Sequence, residues 1–160
     1  MTVHPIPPLF AADSKILILG SFPSVKSRET MFFYGHPRNR FWCVLAAVFS
    51  DELPETVGEK RAFLLRHRIA LWDVIASCDI VNSSDAKIKN AAVNDISSIL
   101  ASAKIERVYV NGKTAAKLYE KHIEPKTGIK AVPLPSTSPA NAAVSLEALI
   151  LAWERIARAQ

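Results

Sequence analysis

The chain has 160 residues, of which 49% are hydrophobic and 22% are charged, a balance that excludes extensive disorder and suits a single domain over residues 1–160. Its formal net charge of +5 and its pI near 9.4 favour a polyanionic partner. Its two cysteines, Cys43 and Cys78, lack the clustered Cys or His neighbours of a metal site, so we expect reduced core thiols, no metal, no cofactor and a cytoplasmic location.

Four apolar runs predict short buried strands, over residues 15–19, 69–74, 107–110 and 129–134. Between them hydrophobic residues recur at helical spacing, and the last helix is predicted over residues 142–159. Because consecutive parallel strands need a crossover helix, this alternation predicts an α/β fold: a three-layer α/β/α sandwich with a mostly parallel four-stranded sheet. No apolar run approaches the roughly 20 residues that cross a bilayer, so we expect no membrane partner.

The first predicted strand opens into Gly-Ser-Phe-Pro-Ser at residues 20–24 and then into a long loop that contains aromatic residues. At about 18 residues, this connection is longer than most, and its aromatic side chains need either the core or a stacked ligand as a partner. Phe33 and Tyr34 are the candidates for stacking on a planar ligand. Lys26 and Arg38 lie in the same stretch, so the predicted site is locally positive.

Residues 36–42 read His-Pro-Arg-Asn-Arg-Phe-Trp and lead into a predicted helix. Asn39 has two interpretations: it caps that helix, or its carboxamide holds a water or reads a base edge without introducing charge. His36 either contacts a phosphate or shapes the turn. Phe41 and Trp42 lie on or beside the apolar helix face and are expected in the core.

The later strands deliver polar residues to the same edge of the predicted sheet. Asp73 ends the second strand and is followed by a loop that contains residues 76–79. Residues 111–114 follow the third strand, and residues 135–141 follow the fourth. Gly-Lys-Thr at residues 112–114 lacks the first glycine of a Walker loop, since Arg107 occupies that position, so we expect a tight turn with Lys113 near a phosphate.

Three of these strings together resemble the uracil-DNA glycosylase superfamily. Residues 20–24 resemble its GINPG motif, residues 36–42 resemble its HPxNRFW segment, and Ser-Thr-Ser-Pro-Ala-Asn at residues 136–141 resembles HPSP or NPSG. Ser21-Phe22 replaces the catalytic Asp or Asn of other branches, and Ser136 replaces the later His or Asn. With Asn39, this combination resembles the hypoxanthine-DNA glycosylase branch, also called DNA-deoxyinosine glycosylase.

The resemblance implies a DNA repair enzyme, a monomeric and monofunctional glycosylase. It would flip a deaminated base, above all hypoxanthine, out of double- or single-stranded DNA and hydrolyse the N-glycosidic bond of that base. Asn39 is the implied catalytic residue. The expected base-binding residues are Gly20, Ser21, Phe22, Pro23, Tyr34 and Asp73. The expected DNA-binding residues are Ser24, Lys26, His36, Arg38, Lys113, Ser136, Ser138, Pro139, Ala140 and Asn141.

Three other interpretations stay open from the sequence. A catalytically degenerate relative would keep DNA binding and lose excision, for which Phe22 and Ser136 give some reason. A glycosylase acting mainly on uracil in mismatches would share the same motifs. A small-nucleotide binding module is weakened by the incomplete Walker pattern.

Overall fold

A computed structural model describes residues 1–80 and 88–158, and a parallel four-stranded sheet lies at its centre. The strands are β1 (Thr2–Val3), β2 (Ile16–Gly20), β3 (Ile69–Asp73), β4 (Ile75–Asp79), β5 (Lys89–Val93), β6 (Arg107–Asn111) and β7 (Ala131–Leu134). The central sheet has the order β3-β2-β6-β7, and its three pairings are all parallel. The four apolar runs of the sequence therefore form the predicted sheet, with ends shifted by one or two residues.

Helices cover both faces of this sheet. They are α1 (Val25–Thr30), α2 (Phe41–Val48), α3 (Val57–Arg66), α4 (Ser97–Ser102), α5 (Lys113–Leu118), α6 (Glu124–Thr127), α7 (Leu146–Trp153) and α8 (Arg155–Arg158), with a π-helical turn at Tyr119–Ile123 and a 3₁₀ turn at Pro139–Asn141. Along β2, Ile16 and Ile18 pack with α2, α3 and α7, whereas Leu17 and Leu19 pack with α4 and α5. Successive strand residues point to opposite faces, so both sides of the strand are buried. The three-layer α/β/α sandwich is confirmed.

A second, antiparallel sheet was not predicted. It has the order β1-β4-β5, so residues 76–79, which we expected in a loop, belong to β4. The chain does not turn away after β3, because the Val74 and Ile75 amides donate to the carbonyls of Gly20 and Ser21. The Asn94 side chain donates to the carbonyls of Asp73 and Ile75 from the other side. These hydrogen bonds hold the chain in an extended conformation beyond the edge of the central sheet, where it continues as β4.

Three further expectations need correction. The long loop after β2 contains α1, whose first turn is capped by the Ser24 side chain. The helix predicted over residues 142–159 begins at Leu146, because Ser145 caps it and a 3₁₀ turn precedes it, and it is divided at Glu154 into α7 and α8; its predicted end at residue 159 lies outside the described residues. Cys43 is exposed on the outer side of α2, whereas Cys78 is buried as expected.

Candidate active site

A cavity opens at the carboxyl edge of the parallel sheet, where β2, β3 and β6 end. Its volume is about 250 Å³, slightly below the roughly 300–1,000 Å³ of sites for drug-sized ligands, and so suits one small planar ring system. Its lining residues are Gly20, Ser21, Phe22, Pro23, Ser24, Ser27, Phe33, Tyr34, His36, Asn39, Asp73, Asn111, Ser136, Thr137, Ser138, Pro139 and Ala140. Polar groups from distant parts of the chain therefore converge on one cavity.

Gly20 allows two oxygen atoms to meet above its backbone. Gly20 and Asp73 are paired neighbours in β2 and β3. A Cβ atom placed on Gly20 would lie 2.5 Å from Asp73 Oδ1 and 2.7 Å from the Tyr34 hydroxyl. Contacts this short do not occur in folded proteins, so only glycine leaves room for the carboxylate and the phenol. Both oxygens belong to side chains that line the cavity.

The Tyr34 ring is fixed in place by its neighbours. Its backbone has φ 52°, a left-handed conformation that non-glycine residues adopt rarely and mostly where surrounding structure enforces it. The ring stacks on Phe41, with ring centroids 3.9 Å apart and planes 14° apart. Its hydroxyl accepts a hydrogen bond from Asn111 Nδ2 at 3.2 Å. Phe33, the other stacking candidate, is almost fully buried beside Phe32 in the core.

Asn39 lies one position before Arg40, the N-cap residue of α2, which makes no capping side-chain hydrogen bond of its own. The Asn39 side chain instead satisfies the first amide of the helix, and this is the sense in which it caps α2. Its Oδ1 atom accepts a hydrogen bond from the Phe41 amide at 3.0 Å, at the first residue of α2. Asn39 also lines the cavity. Because the backbone amide can only donate, the side-chain oxygen is committed to the cap, and the Nδ2 group is the donor end of the carboxamide. Capping therefore fixes the amide orientation.

Residues after β7 are held at the cavity by an amide clamp. Asn111, at the end of β6, accepts from the Thr137 amide at 3.1 Å and donates from Nδ2 to Thr137 Oγ1 at 3.0 Å. Arg40 donates to the carbonyls of Val144 and Asn141, so this arginine serves the fold. The clamp holds the Ser-Thr-Ser-Pro string at the cavity that Asn39 also lines.

A buried histidine contacts Asp73 from behind the cavity wall. His4 Nε2 lies 2.7 Å from Asp73 Oδ2, and the two side chains are 2% and 6% exposed. The Ile6 amide donates to His4 Nδ1 at 3.2 Å. The ring packs edge-on against Phe22, which lines the cavity, and against Trp72.

The structure brings most of the sequence-predicted residues together. All of the expected catalytic and base-binding residues line the cavity, as do Ser24, His36, Ser136, Ser138, Pro139 and Ala140. Lys26 lies exposed on α1, and Arg38 is exposed with its amide donating to His36 Nδ1. Lys113 and Asn141 line an adjoining wider cavity of about 570 Å³ on the other side of residues 136–140.

Sequence reasoning missed four residues at this site. Ser27, Asn111 and Thr137 line the cavity, and His4 supports it from behind. Asn111 lies in the predicted loop after the third strand, and its position as a polar residue at a strand end was the signal that could have identified it as a site residue. For His4 there was none, because the pairing of β1 with β4 that delivers it is not visible in the sequence.

Within residues 1–80 and 88–158, no helix is long and apolar enough to cross a bilayer. In the same residues, no group of three or more His, Cys, Asp and Glu side chains is arranged to hold a metal ion.

Comparison with known families agrees with this arrangement. The family described as the uracil DNA glycosylase superfamily matches residues 7–157. The chain belongs to the uracil DNA glycosylase superfamily. The match covers both the cavity-lining strings and the sheet that positions them.

Relatives within this superfamily are similar over most of their length. A hypoxanthine DNA glycosylase of Methanosarcina acetivorans is 34% identical over 137 residues, covering 84% of this chain and 85% of the relative. One of Methanosarcina barkeri is 34% identical over 113 residues, covering 69% and 72%. A solution NMR structure of a candidate uracil DNA glycosylase from Methanosarcina acetivorans superposes with TM-score 0.82 at 31% identity, covering 96% of this chain and 94% of that one.

Proposed function

We propose that this protein is a DNA glycosylase that removes hypoxanthine from deoxyinosine in DNA by hydrolysis. The observation that carries the proposal is Asn39: its amide oxygen is held by the α2 cap while its side chain lines a cavity of single-base size. The names of the two similar Methanosarcina proteins support hypoxanthine as the base. The partner is then single- or double-stranded DNA carrying a deaminated base, bound by a monomer of one domain.

Flipping is required by the size and position of the cavity. A base inside a duplex is out of reach, so the nucleotide must rotate out of the stack at a cost of a few kcal/mol, and a mispaired hypoxanthine lowers that cost. The enclosed lining of Phe22, Tyr34 and Pro23 then replaces the base stack with apolar and aromatic contacts. Selection for damage begins with this step.

In the reaction, the bond between hypoxanthine N9 and the sugar C1′ breaks, and its electron pair leaves with the base. Water forms the new bond to C1′, and its proton balances the charge on the departing base. Negative charge therefore develops on the base, where a donor placed in advance is most effective. We assign that role to Asn39 Nδ2, because Asn39 lines the cavity and its oxygen is already bonded to the Phe41 amide, so Nδ2 is the donor that remains for a ligand.

The flanking backbone is assigned to the string that the Asn111 clamp holds. Ser136 Oγ accepts from the Ser138 amide, and Ser138 Oγ accepts from the Ala140 amide, so each hydroxyl retains its own O–H for a phosphate oxygen. Lys113 and Lys26 add positive charge at the neighbouring cavity and on α1. Such contacts bind DNA without reading its sequence.

The test uses Asn39→Asp beside Asn39→Ala. Aspartate keeps a capping oxygen for the Phe41 amide and loses the Nδ2 donor, whereas alanine loses both. We expect both variants to release hypoxanthine from an inosine-containing duplex on the order of 100-fold or more slowly than the parent. Only Asn39→Ala should also lose stability, by about 1 kcal/mol. The measurements are single-turnover release at saturating enzyme, which separates chemistry from binding, and urea unfolding.

Ser145→Asp is the matched control. Ser145 caps α7 through a hydrogen bond from the Ala148 amide and does not line the cavity, so this variant adds the same charge at a cap elsewhere. Folded Asn39→Asp that excises at the parent rate would remove Asn39 from the mechanism. Parallel duplexes carrying uracil, xanthine or no lesion test the base. Faster release of uracil contradicts the hypoxanthine assignment, and DNA binding without abasic product contradicts a glycosylase.

A further inference from the structure

The N-terminal segment carries a buried polar side chain that the proposed reaction does not use. The His4 amide donates to the Ala76 carbonyl at 2.8 Å, directly after the pairing of Thr2 and Val3 with β4. Trp72 Nε1 donates to the Ile6 carbonyl at 2.9 Å on the other side of His4. The backbone around His4 is therefore fixed against β3 and β4, and its imidazole is fixed with it.

Hydrogen bonding also fixes where the imidazole proton lies. The Ile6 amide can only donate, so Nδ1 accepts and the ring proton resides on Nε2. Nε2 then donates to Asp73 Oδ2 at 2.7 Å. This bond satisfies one oxygen of Asp73 from behind the wall, and the other oxygen, Oδ1, lies above Gly20. The carboxylate is thereby held with Oδ1 beside Gly20 and the Tyr34 hydroxyl, and both of these residues line the cavity.

We propose that His4 is a positioning residue that holds Asp73 Oδ1 as an acceptor for the ring N–H of a deaminated base. This inference rests on the proposed function. Hypoxanthine has an N1–H where adenine has a lone pair, and uracil has an N3–H where cytosine has one. An acceptor at this point thus reads the proton that deamination adds to the ring. Adenine or cytosine would instead present a ring-nitrogen lone pair to this oxygen, and a buried polar group would be left unpaired.

Two amide substitutions of His4 differ only in reach. In His4→Gln, the amide nitrogen reaches the place of Nε2 and can still donate to Asp73. In His4→Asn, the amide nitrogen reaches only the place of Nδ1. We expect His4→Gln to release hypoxanthine within about threefold of the parent rate, and His4→Asn to be roughly 10- to 100-fold slower, as loss of a hydrogen bond to a charged group predicts.

A double-mutant cycle separates positioning from a merely structural role. Asp73→Asn alone should also slow release, since it changes the group that His4 orients. We expect the double variant of His4→Asn with Asp73→Asn to be no more than about threefold slower than Asp73→Asn, because His4 acts through the carboxylate. His67→Asn is the matched control: His67 contacts Asp51 at the same 2.7 Å but does not line the cavity. Its release rate should be unchanged.

Several outcomes would overturn the inference: a folded His4→Asn with parent activity, a His4→Gln as slow as His4→Asn, or losses that multiply in the double variant. A measurement on the parent alone guards against unfolded variants. Free hypoxanthine should inhibit at lower concentration than 1-methylhypoxanthine, which lacks N1–H, and equal inhibition would also overturn it. If the parent releases no hypoxanthine from DNA, the proposed function fails instead.

Discussion

Among residues 1–80 and 88–158, two His–Asp pairs have the same length and very different surroundings. His4 Nε2 and His67 Nε2 each lie 2.7 Å from an aspartate oxygen, of Asp73 and Asp51 respectively. The first pair is 2% and 6% exposed behind the cavity wall. The second is 20% and 25% exposed and shares its carboxylate with Arg66. The distance alone would assign both the same role.

Their surroundings lead to different roles. At the surface pair, Arg66 and His67 end α3, and Asp51 follows α2, so the contact joins two helix ends near water. Exposed ion pairs of this kind contribute little, because water and salt screen them. At the buried pair, the Ile6 amide fixes the ring proton and Gly20 leaves space for the second carboxylate oxygen. We therefore expect the surface pair to affect stability and the buried pair to affect the ligand.

The largest effect that would sharpen this comparison is expected from Gly20→Ala. The added Cβ must displace Asp73 Oδ1 or the Tyr34 hydroxyl, yet His4 holds the first side chain and Phe41 holds the second. A displacement of about 1 Å at a reacting centre costs on the order of 100-fold in rate. Single-turnover release of hypoxanthine measures the loss, and circular dichroism checks that the fold persists. A folded Gly20→Ala with parent activity would show that the oxygen above Gly20 is not needed.

The sequence predicted the central sheet because β2, β3, β6 and β7 are short apolar runs between helical patterns. It did not predict the antiparallel sheet. β5 reads Lys-Asn-Ala-Ala-Val and is mostly exposed, and β1 has two residues, so neither carries a strong hydrophobic pattern. Such strands form because the edge of a neighbouring strand is available to pair with them. That availability depends on the whole fold and cannot be recognised from the sequence of the segment itself.

The site shows the same limit. Asn39, Tyr34 and the later serine string were found through local motifs and do line one cavity. The orientation of the Asn39 amide depends on a cap, and the position of His4 depends on a strand pairing of residues more than 70 apart. Motifs indicate which residue types meet, whereas hydrogen bonds between distant segments decide which atom of each faces the ligand.

A smaller effect is expected from the surface pair as pH falls. Hydrogen bonds from His67 and then Arg66 lower the pKa of Asp51 from 3.8 to about 2. A carboxyl group with a lower pKa in the folded protein stabilises it above the unfolded pKa, and that stabilisation is lost as pH falls through the folded value. Asp51→Asn should therefore be less stable than the parent near neutral pH, and the difference should shrink between pH about 4 and about 2.

Urea unfolding at several pH values measures this difference, and hypoxanthine release should be unaffected by Asp51→Asn. Glu52→Gln removes the neighbouring exposed carboxylate, and as a surface change it should shift stability by less than about 0.5 kcal/mol. A stability difference for Asp51→Asn that is constant across this pH range would contradict a stabilising surface pair.

The smallest effect is expected from Gly58→Ala. This substitution is the counterpart of Gly20→Ala in α3, the helix that ends at the surface pair. Gly58 lies in the first turn of α3, is exposed, and has only Thr56 Oγ1 within 4 Å of an added Cβ, at 3.9 Å. Alanine restricts the unfolded chain and fits the helix, so the free energy of unfolding should rise by about 0.5 kcal/mol without a change in hypoxanthine release. Urea unfolding and the same excision assay measure the two quantities. A fall in release would mean that α3 contributes to the site, and the separation of a stability region from a ligand region would not hold.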